Sequence, residues 1–360
     1  MKKFINIFSI ALTIFISLFA FCGCVKSIPD PQITTSEDVK NVILIICDGM
    51  GFNHIKNAKT YFEYENFYFE ENYTCSVNTS SKSIGTTDSA AAGTAMATGV
   101  NVANKKVGMD GNKVLTNIME IANTKNMKTG IVTTDNLYGA TPACFSSHTS
   151  NRNNTEDIVM AQSVSNINLL IGQSAKEYTT YSQNFIDNGY TMCSSLEDLT
   201  LNSNQTKLIA NIPNLKSIYN NEETNQTNFN LIVEYAINYL NNDNGFVLMI
   251  ECAHIDKFSH NNQIIPALCE VKTLNDVANT ALNFAKSRTD TAVIITADHE
   301  TGGLKEATKK SDISNSLYTK TSHSSNNVPL YTYNCTFNNL KEEVKNTFIF
   351  DICKNIVEWC

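Results

Sequence analysis

Several motifs that mark particular protein classes are missing from this sequence. It has no Cys-x-x-Cys pair, no run of basic residues, no Gly-x-Ser-x-Gly motif and no internal repeat. The first absence argues against a zinc site built from thiolates, and the third against the nucleophile elbow of serine hydrolases. Because the net charge is -8, the lack of a basic run also argues against a nucleic-acid partner.

The N-terminus has the pattern of a targeting segment. Lys2 and Lys3 precede the apolar run FINIFSIALTIFISLFAFCGC, which ends at Cys24. We interpret residues 1–24 as a lipoprotein-type signal peptide with Cys24 lipidated, although an uncleaved anchor or plain secretion stays open. Residues 25–38 are predicted to be a polar tether, and residues 39–360 one domain. We therefore expect an exported protein, held on the outer side of the cell membrane or secreted.

Eleven cysteines in an exported protein raise the question of disulfides. Their spacing does not form a disulfide framework. Cys47 and Cys252 lie in or beside apolar runs, where a reduced, buried thiol is the simpler interpretation. Pairing of Cys353 with Cys360 stays open.

Four short apolar runs are typical of buried parallel strands, at 41–47, 129–134, 245–250 and 291–297. Amphipathic patterns at 113–126, 228–242 and 270–287 predict helices that separate them. This alternation predicts an α/β fold, a three-layer αβα sandwich with a mainly parallel central sheet. The Asn- and Thr-rich segment 200–228 is interpreted as a loop-rich surface connection.

Acidic residues follow three of these strands directly: Asp48, Glu251 and Asp298. Ligands of open α/β sheets bind outside the carboxyl ends of the strands, so we expect the three carboxylates to converge. Such carboxylates repel one another in a partly dry site unless cations lie between them. For each acid taken alone, capping of the following helix is the alternative.

Two histidines lie close in sequence to acids. His299 follows Asp298, and His260 lies four residues after Asp256, a spacing that places both side chains on one helix face. For these two, metal ligation is the better interpretation. Mixed Asp and His ligands suit zinc, whereas an all-oxygen set such as Asp48, Glu251 and a threonine suits magnesium.

The remaining histidines are less informative by position. His323 lies in a polar loop, and His54 and His254 are interpreted as ordinary core or surface residues. The stretch GTTDSAAAGTAMATG predicts a helix that begins at Ser89, because alanine is the best helix former. Unpaired N–H groups and the macrodipole at such an N-terminus favour an anion. Taken alone, this stretch favours a plain buried helix with a serine N-cap over a catalytic role.

Taken in order, the motifs resemble those of the alkaline phosphatase family of metal-dependent phosphomonoesterases. The resemblance extends from about residue 41 to 333. TDSAAAGTA and TADHETGG are highly specific when they occur together. The motifs that carry the resemblance are CDGMG, TTDSAAAGTAMATG, GATPACFSSHTSNR, MIECAHIDKFSH, TADHETGG and SHSSNNVP.

The resemblance implies an enzyme that hydrolyses phosphate monoesters through a phosphoserine, with two Zn²⁺ and one Mg²⁺ per chain. Ser89 would be the nucleophile, Arg152 the bidentate phosphate clamp, and Lys257 a contact to phosphate through water. The resemblance also leaves a homodimer open. The implied metal ligands are Asp256, His260 and His323 for one zinc; Asp48, Asp298 and His299 for the other; and Asp48, Thr141 and Glu251 for magnesium.

One position departs from the family pattern. Gly139 stands two residues before Thr141, where relatives usually carry Asp or His, and a glycine has no side chain to support a cation. We therefore predict a weaker or more exchangeable magnesium site. Two other functions stay open at this point, a phosphodiesterase of the same superfamily and an inactive metal- or phosphate-binding lipoprotein. A sulfatase is disfavoured, because no Cys-x-Pro-x-Arg setting surrounds Ser89.

Overall fold

The structure of the protein is a computed structural model that describes residues 31–34, 38–213, 215 and 229–359. The signal peptide predicted at 1–24 lies outside the described residues, as does most of the tether predicted at 25–38. No helix within the described residues is both long and apolar enough to cross a membrane.

A sheet of ten strands forms the centre of the described chain, with helices on both sides. Its strand order is β16-β3-β14-β11-β2-β10-β6-β7-β9-β8. Only β14 runs antiparallel to its sheet neighbours, which confirms the predicted α/β fold with a mainly parallel sheet. These strands are β2 (Asn41–Cys47), β3 (Tyr73–Asn78), β6 (Lys128–Thr133), β7 (Leu169–Gln173), β8 (Thr191–Cys193), β9 (Leu208–Ile212), β10 (Phe246–Cys252), β11 (Thr291–Thr296), β14 (Val328–Tyr333) and β16 (Glu343–Lys345).

Six shorter strands form three small two-stranded sheets apart from the central one. They are β1 (Gln32–Thr34) with β15 (Thr336–Asn338), β4 (Met109–Asp110) with β5 (Lys113–Val114), and β12 (Glu300–Thr301) with β13 (His323–Ser324). The pair β12–β13 places His323 beside Thr301 in register.

Twelve α-helices occur within the described residues. They are α1 (Phe52–Phe62), α2 (Ser89–Thr98), α3 (Ile118–Thr124), α4 (Ala140–Ser146), α5 (Thr155–Ser163), α6 (Lys176–Thr180), α7 (Ser182–Asp187), α8 (Leu196–Leu201), α9 (Phe229–Leu240), α10 (His254–His260), α11 (Ile264–Lys286) and α12 (Thr347–Trp359). The longest, α11, packs against α1, α9 and α10, and α12 packs against α2 and α3.

The four predicted strands are present as β2, β6, β10 and β11, each within two residues of its predicted bounds. All side chains of β2, β10 and β11 are buried, as expected for central strands of a parallel sheet. Cys47 and Cys252 are buried, free thiols in this core, which confirms the reduced interpretation, and Cys353 is also free and buried. Cys360 lies outside the described residues.

Two predictions about the chain path were wrong in part. The segment interpreted as a surface loop at 200–228 contains β9, which pairs with β7 and β8 inside the sheet. Only Leu208, Ile209, Ala210 and Ile212 form its buried face, and this apolar run is too short to stand out among the surrounding Asn and Thr. The helix predicted at 113–126 is confined to α3, because Lys113 and Val114 pair in the small β4–β5 hairpin.

Candidate active site

The site forms at the carboxyl ends of the central strands, where the three predicted carboxylates lie. Asp48 follows β2 directly, Glu251 is the penultimate residue of β10, and Asp298 lies two residues beyond β11. Backbone hydrogen bonds link the segment after β2 to the segment after β10. The Asp48 N–H donates to Cys252 O at 3.1 Å, and the Asp256 N–H donates to Asp48 O at 2.9 Å. The sheet edge therefore brings together acids that are far apart in sequence.

Gly49 permits the closest of these approaches. Its φ of +80° is in the left-handed region, and a Cβ built there would lie 2.7 Å from Asp256 Cα. The Gly49 N–H also donates to Asp298 Oδ1 at 3.1 Å. A side chain at this position would push α10, which carries Asp256, away from the end of β2.

Ser89 is the first residue of α2, as the sequence predicts. Asp88 caps this helix, because its Oδ1 accepts the Ala91 N–H at 2.9 Å. Every residue of α2 is buried, and a Cβ at Gly93 would lie only 3.1 Å from Cys144 Sγ on α4. The small residues thus let α2 pack against α4 with its N-terminus at the site. Ser89 Oγ lies 3.2 Å from His299 Nε2.

Two half-buried histidines face each other at the opening of the site. His260 Nε2 lies 3.1 Å from His323 Nε2, and these atoms are 3.2 Å and 3.6 Å from Asp256 Oδ1. Each Nδ1 contacts a backbone carbonyl, at Thr321 for His260 and Thr87 for His323. A carbonyl only accepts, so each Nδ1 must be the donor, and in a neutral ring the Nε2 lone pair then points at Asp256.

The third histidine, His299, is wholly buried and oriented by a hydroxyl. The Thr301 hydroxyl donates to Asp256 Oδ1, so its oxygen accepts from His299 Nδ1 at 3.2 Å. His299 Nε2 therefore carries the lone pair of the neutral ring, which can bind a cation, and it lies 3.2 Å from Asp298 Oδ2 and 3.6 Å from Asp48 Oδ1. Burial lowers the pKa of His299, which favours this neutral form.

These groups have the donor set and the unmet polar atoms that cations require. Burial first, then Asp298 and Asp256, raises the pKa of Asp48 well above its usual range. Asp48 Oδ1 and Asp298 Oδ2 are buried without hydrogen-bond partners. Two sets of three residues each place their ligand atoms within 4.8 Å of one another. One set is Asp256, His260 and His323, and the other is Asp48, Asp256 and His299. The residues therefore fit divalent cations bound by mixed nitrogen and oxygen ligands.

His260 and Asp256 are in contact within this site, with 3.2 Å between Nε2 and Oδ1. The hydrogen bond to Asp256 raises the pKa of His260 to about 9. Burial acts against ionisation of Asp256, but His260, His299 and Thr301 together hold the pKa of this carboxyl well below its usual range. Metal ligands must lose such protons on binding, so a cation here would take the place of the proton shared by His260 and Asp256.

Glu251 and Thr141 form a separate group of oxygen atoms on the β6 side. The Thr133 hydroxyl donates to Glu251 Oε2, and burial, then Asp135, raises the pKa of Glu251 to about 7. Thr141 Oγ1 is buried without a hydrogen-bond partner. This set of oxygens suits magnesium, which prefers carboxylate and hydroxyl oxygens over imidazole.

Two basic side chains border the site. Arg152 Nη1 lies 3.5 Å from Asp88 Oδ2, and the same carboxylate oxygen accepts the Lys105 N–H at 3.0 Å. Asp88 thus links Arg152 to the helix that presents Ser89. Lys257, on α10, pairs with Asp135 at 2.5 Å between Nζ and Oδ1, and its side chain is 45% exposed.

A family model for alkaline phosphatase matches residues 39–173 and 183–345. The chain belongs to the alkaline phosphatase family. Alkaline phosphatase 4 of Bacillus subtilis (strain 168) is 32% identical over 290 residues, which cover 74% of this chain and 62% of that relative. The structure of alkaline phosphatase from the Antarctic bacterium TAB5 is 27% identical, with a TM-score of 0.78 and coverage of 91% of this chain and 100% of that one. A mutant of the TAB5 enzyme with Mg bound in the M3 site gives a TM-score of 0.77.

All ten residues that the alkaline phosphatase resemblance selected, together with Lys257, lie at or beside this sheet edge. Asp256 belongs to both three-residue sets, and Asp298 Oδ2 lies beside the second set, 3.2 Å from His299 Nε2. His54 is a buried core residue bonded to Ser259 at 3.0 Å, as interpreted. His254 is half-buried, with Nδ1 3.2 Å from the Thr134 hydroxyl.

Sequence reasoning missed four supporting residues. Asp88 could have been found, because an Asp directly before an Ala-rich helix is a common cap. Thr133, Asp135 and Thr301 have no comparable signal, since each acts through a partner that the fold brings near. Glu300 is buried as well, and its carboxylate accepts the N–H groups of Gly303 and Leu304, which secures the turn that follows His299.

Proposed function

We propose that this protein hydrolyses phosphate monoesters to an alcohol and inorganic phosphate through a phosphoserine at Ser89. Membership of the alkaline phosphatase family supports phosphoester hydrolysis in general. The observation that carries the finer proposal is the placement of Ser89 Oγ, at a helix N-terminus and 3.2 Å from His299 Nε2, beside buried carboxylates with unpaired oxygens.

We further propose two zinc ions and one magnesium ion as cofactors. Asp256, His260 and His323 would hold one zinc, and Asp48, Asp298 and His299 the other. Glu251, Thr141 and Asp48 would hold magnesium. When bound, such cations neutralise phosphate charge and favour the ionised forms of hydroxyl groups near them.

The residues of this chain account for the rest of the reaction. Ser89 Oγ attacks phosphorus and forms a P–O bond, while the ester P–O bond breaks and the alcohol leaves with a proton. The α2 N-terminus and the planar fork of Arg152 hold the phosphoryl oxygens, with Asp88 fixing the direction of Arg152. Water then attacks the phosphoserine, which releases phosphate and restores the Ser89 hydroxyl. Two displacements retain the configuration at phosphorus.

Turnover of p-nitrophenyl phosphate and of its bis ester tests the choice between monoesterase and diesterase. We expect the monoester to be preferred by a large factor, and a preference for the diester would favour the diesterase alternative. Ser89→Ala should retain zinc, form no phosphoenzyme and lose most turnover. If neither ester is hydrolysed by the zinc- and magnesium-loaded protein, the proposal is wrong and a binding lipoprotein becomes the better interpretation.

For location and assembly, we propose a cell-surface protein anchored through lipid at Cys24, and a possible homodimer. The support is the sequence pattern of residues 1–24 alone for the anchor and the family resemblance for the dimer. Cys24→Ala should move the protein from the membrane fraction to the medium. Light scattering coupled to size exclusion distinguishes a monomer from a dimer.

A further inference from the structure

A residue outside the predicted set, Asp135, lies between the oxygen group and the lysine of the site. It begins the loop after β6, and its side chain is 22% exposed. Its Oδ1 is 2.5 Å from Lys257 Nζ. A charge-assisted contact of this length fixes the lysine, which would otherwise sample many rotamers.

The position of Asp135 is fixed from the backbone as well. Its N–H donates to Thr133 Oγ1 at 2.9 Å, and the Thr133 hydroxyl in turn donates to Glu251. Its carbonyl oxygen accepts the Gln173 N–H at 2.7 Å. The Asp135 backbone is therefore connected to the Glu251 carboxylate through the Thr133 hydroxyl, which fixes where the Asp135 side chain begins.

Gly139 explains why Asp135 can occupy this place. A Cβ at Gly139 would lie 3.4 Å from Asp135 Oδ2 and 2.9 Å from the Asn136 carbonyl oxygen. A side chain at 139 would thus compete with the loop that carries Asp135. Beyond this loop, the buried Thr141 Oγ1 lies near the Glu251 carboxylate but forms no hydrogen bond of normal geometry, so its oxygen is available to a ligand.

We propose that Asp135 is a positioning residue that serves the cation site of Glu251 and Thr141 from a loop position four residues before Gly139, and that it holds Lys257 at the edge of that site. This inference rests on the proposed function. Magnesium uses one or two carboxylates and keeps several waters, so the Asp135 carboxylate would act on the cation through water, while its backbone N–H holds Thr133 in place. Asp135 also neutralises Lys257, whose free charge would repel the cation.

The test measures Mg²⁺ binding by calorimetry to the zinc-loaded protein. We expect Asp135→Asn to weaken Mg²⁺ binding by about 10-fold or more, the usual effect of losing an outer partner of a metal site. Adding Lys257→Gln to Asp135→Asn should recover part of this loss, because the unpaired positive charge is then gone. Asp135→Glu should bind Mg²⁺ better than Asp135→Asn. Asp110→Asn removes a different Asp–Lys pair, with Lys82, and should have no effect.

Mg²⁺ binding by Asp135→Asn within twofold of the unmodified protein would overturn the proposal. So would an absence of Mg²⁺ binding to the unmodified protein, or a double variant that binds Mg²⁺ no more tightly than Asp135→Asn alone. Binding is measured without turnover, so failure of this inference can be distinguished from failure of the proposed function. Failure of the unmodified protein to hydrolyse p-nitrophenyl phosphate would instead overturn that function and leave the binding comparison valid.

Discussion

The two sides of the site are built in different ways. The histidine side is formed by Asp48, Asp256, His260, His299 and His323. His260 and His323 are oriented by carbonyls on distant parts of the chain, and His299 by Thr301, whose hydroxyl donates to the distant Asp256. On the oxygen side, formed by Thr133, Asp135, Thr141 and Glu251, the groups come from β10, β6 and the chain segment that follows β6.

The two sides therefore differ in how many parts of the chain must be in place to position one ligand. A ligand on the histidine side is positioned by several elements at once, so a neighbouring residue cannot easily replace it. On the oxygen side, our proposal has Asp135 supply from the same loop the carboxylate that Gly139 lacks. If Asp135 serves the cation site, the weakening predicted from Gly139 alone will be smaller than the glycine suggests.

The largest effect is expected from Asp256→Asn, since Asp256 belongs to both sets of ligand atoms. A bound cation contributes several kcal/mol to the transition state, so we expect turnover to fall by roughly 1,000-fold or more. Zinc content measured by plasma mass spectrometry should fall with it. Asp187→Asn, an exposed aspartate that bonds only to Gln183 among the contacts described, is the matched control. Unchanged zinc content in Asp256→Asn would contradict the assigned role.

A pH titration of the metal-free protein examines the oxygen side. The pKa of Glu251 is raised from 4.5 to about 7, chiefly by burial, so the folded state binds this proton more tightly than the unfolded state. Its contribution to the unfolding free energy is therefore complete below about pH 4.5 and is lost as the pH rises to 7. The loss is up to about 3 kcal/mol at 1.36 kcal/mol per pKa unit.

Denaturant unfolding of the metal-free protein and of Glu251→Gln between pH 4.5 and 7 measures this loss. The glutamine variant should show a flatter dependence, because its side chain does not titrate. Saturating Mg²⁺ should flatten the curve of the unmodified protein in the same way, since the cation replaces the proton. Parallel curves for the two proteins would show that Glu251 titrates normally.

Sequence reasoning succeeded where one strong local pattern was enough. The apolar runs of β2, β10 and β11 were enough to predict a mainly parallel sheet. The acids that follow these runs predicted which end of the strands carries the site. Prediction from the sequence failed where an element or a role depends on contacts between residues that are far apart in the chain. Strand β9 is apolar over too few residues to be recognised, and the roles of Asp135 and Thr301 depend on neighbours that are distant in sequence.

Glu251→Gln in the metal-loaded protein distinguishes the two sides by its separate effects on the Mg²⁺ response and on zinc content. We expect turnover to fall by about 10- to 100-fold and to lose its response to added Mg²⁺, because one ionic ligand is replaced by a neutral one. Zinc content should stay unchanged, since the histidine side keeps all its ligands. A loss of zinc equal to that of Asp256→Asn would mean that the two sides form one cooperative site.

Thr301→Val is expected to have the smallest effect, because it removes no ligand. Its hydroxyl donates to Asp256 and accepts from His299 Nδ1, so the isosteric valine leaves both groups without this partner in a wholly buried place. We expect a loss of about 10-fold in zinc affinity, as for other outer partners of metal ligands. Thr301→Ser should restore most of the affinity, since it returns the hydroxyl. Equal affinities for the valine and serine variants would show that His299 is oriented by its contacts with Asp298 and Asp48, and that the histidine side is less dependent on distant partners than the comparison with the oxygen side implies.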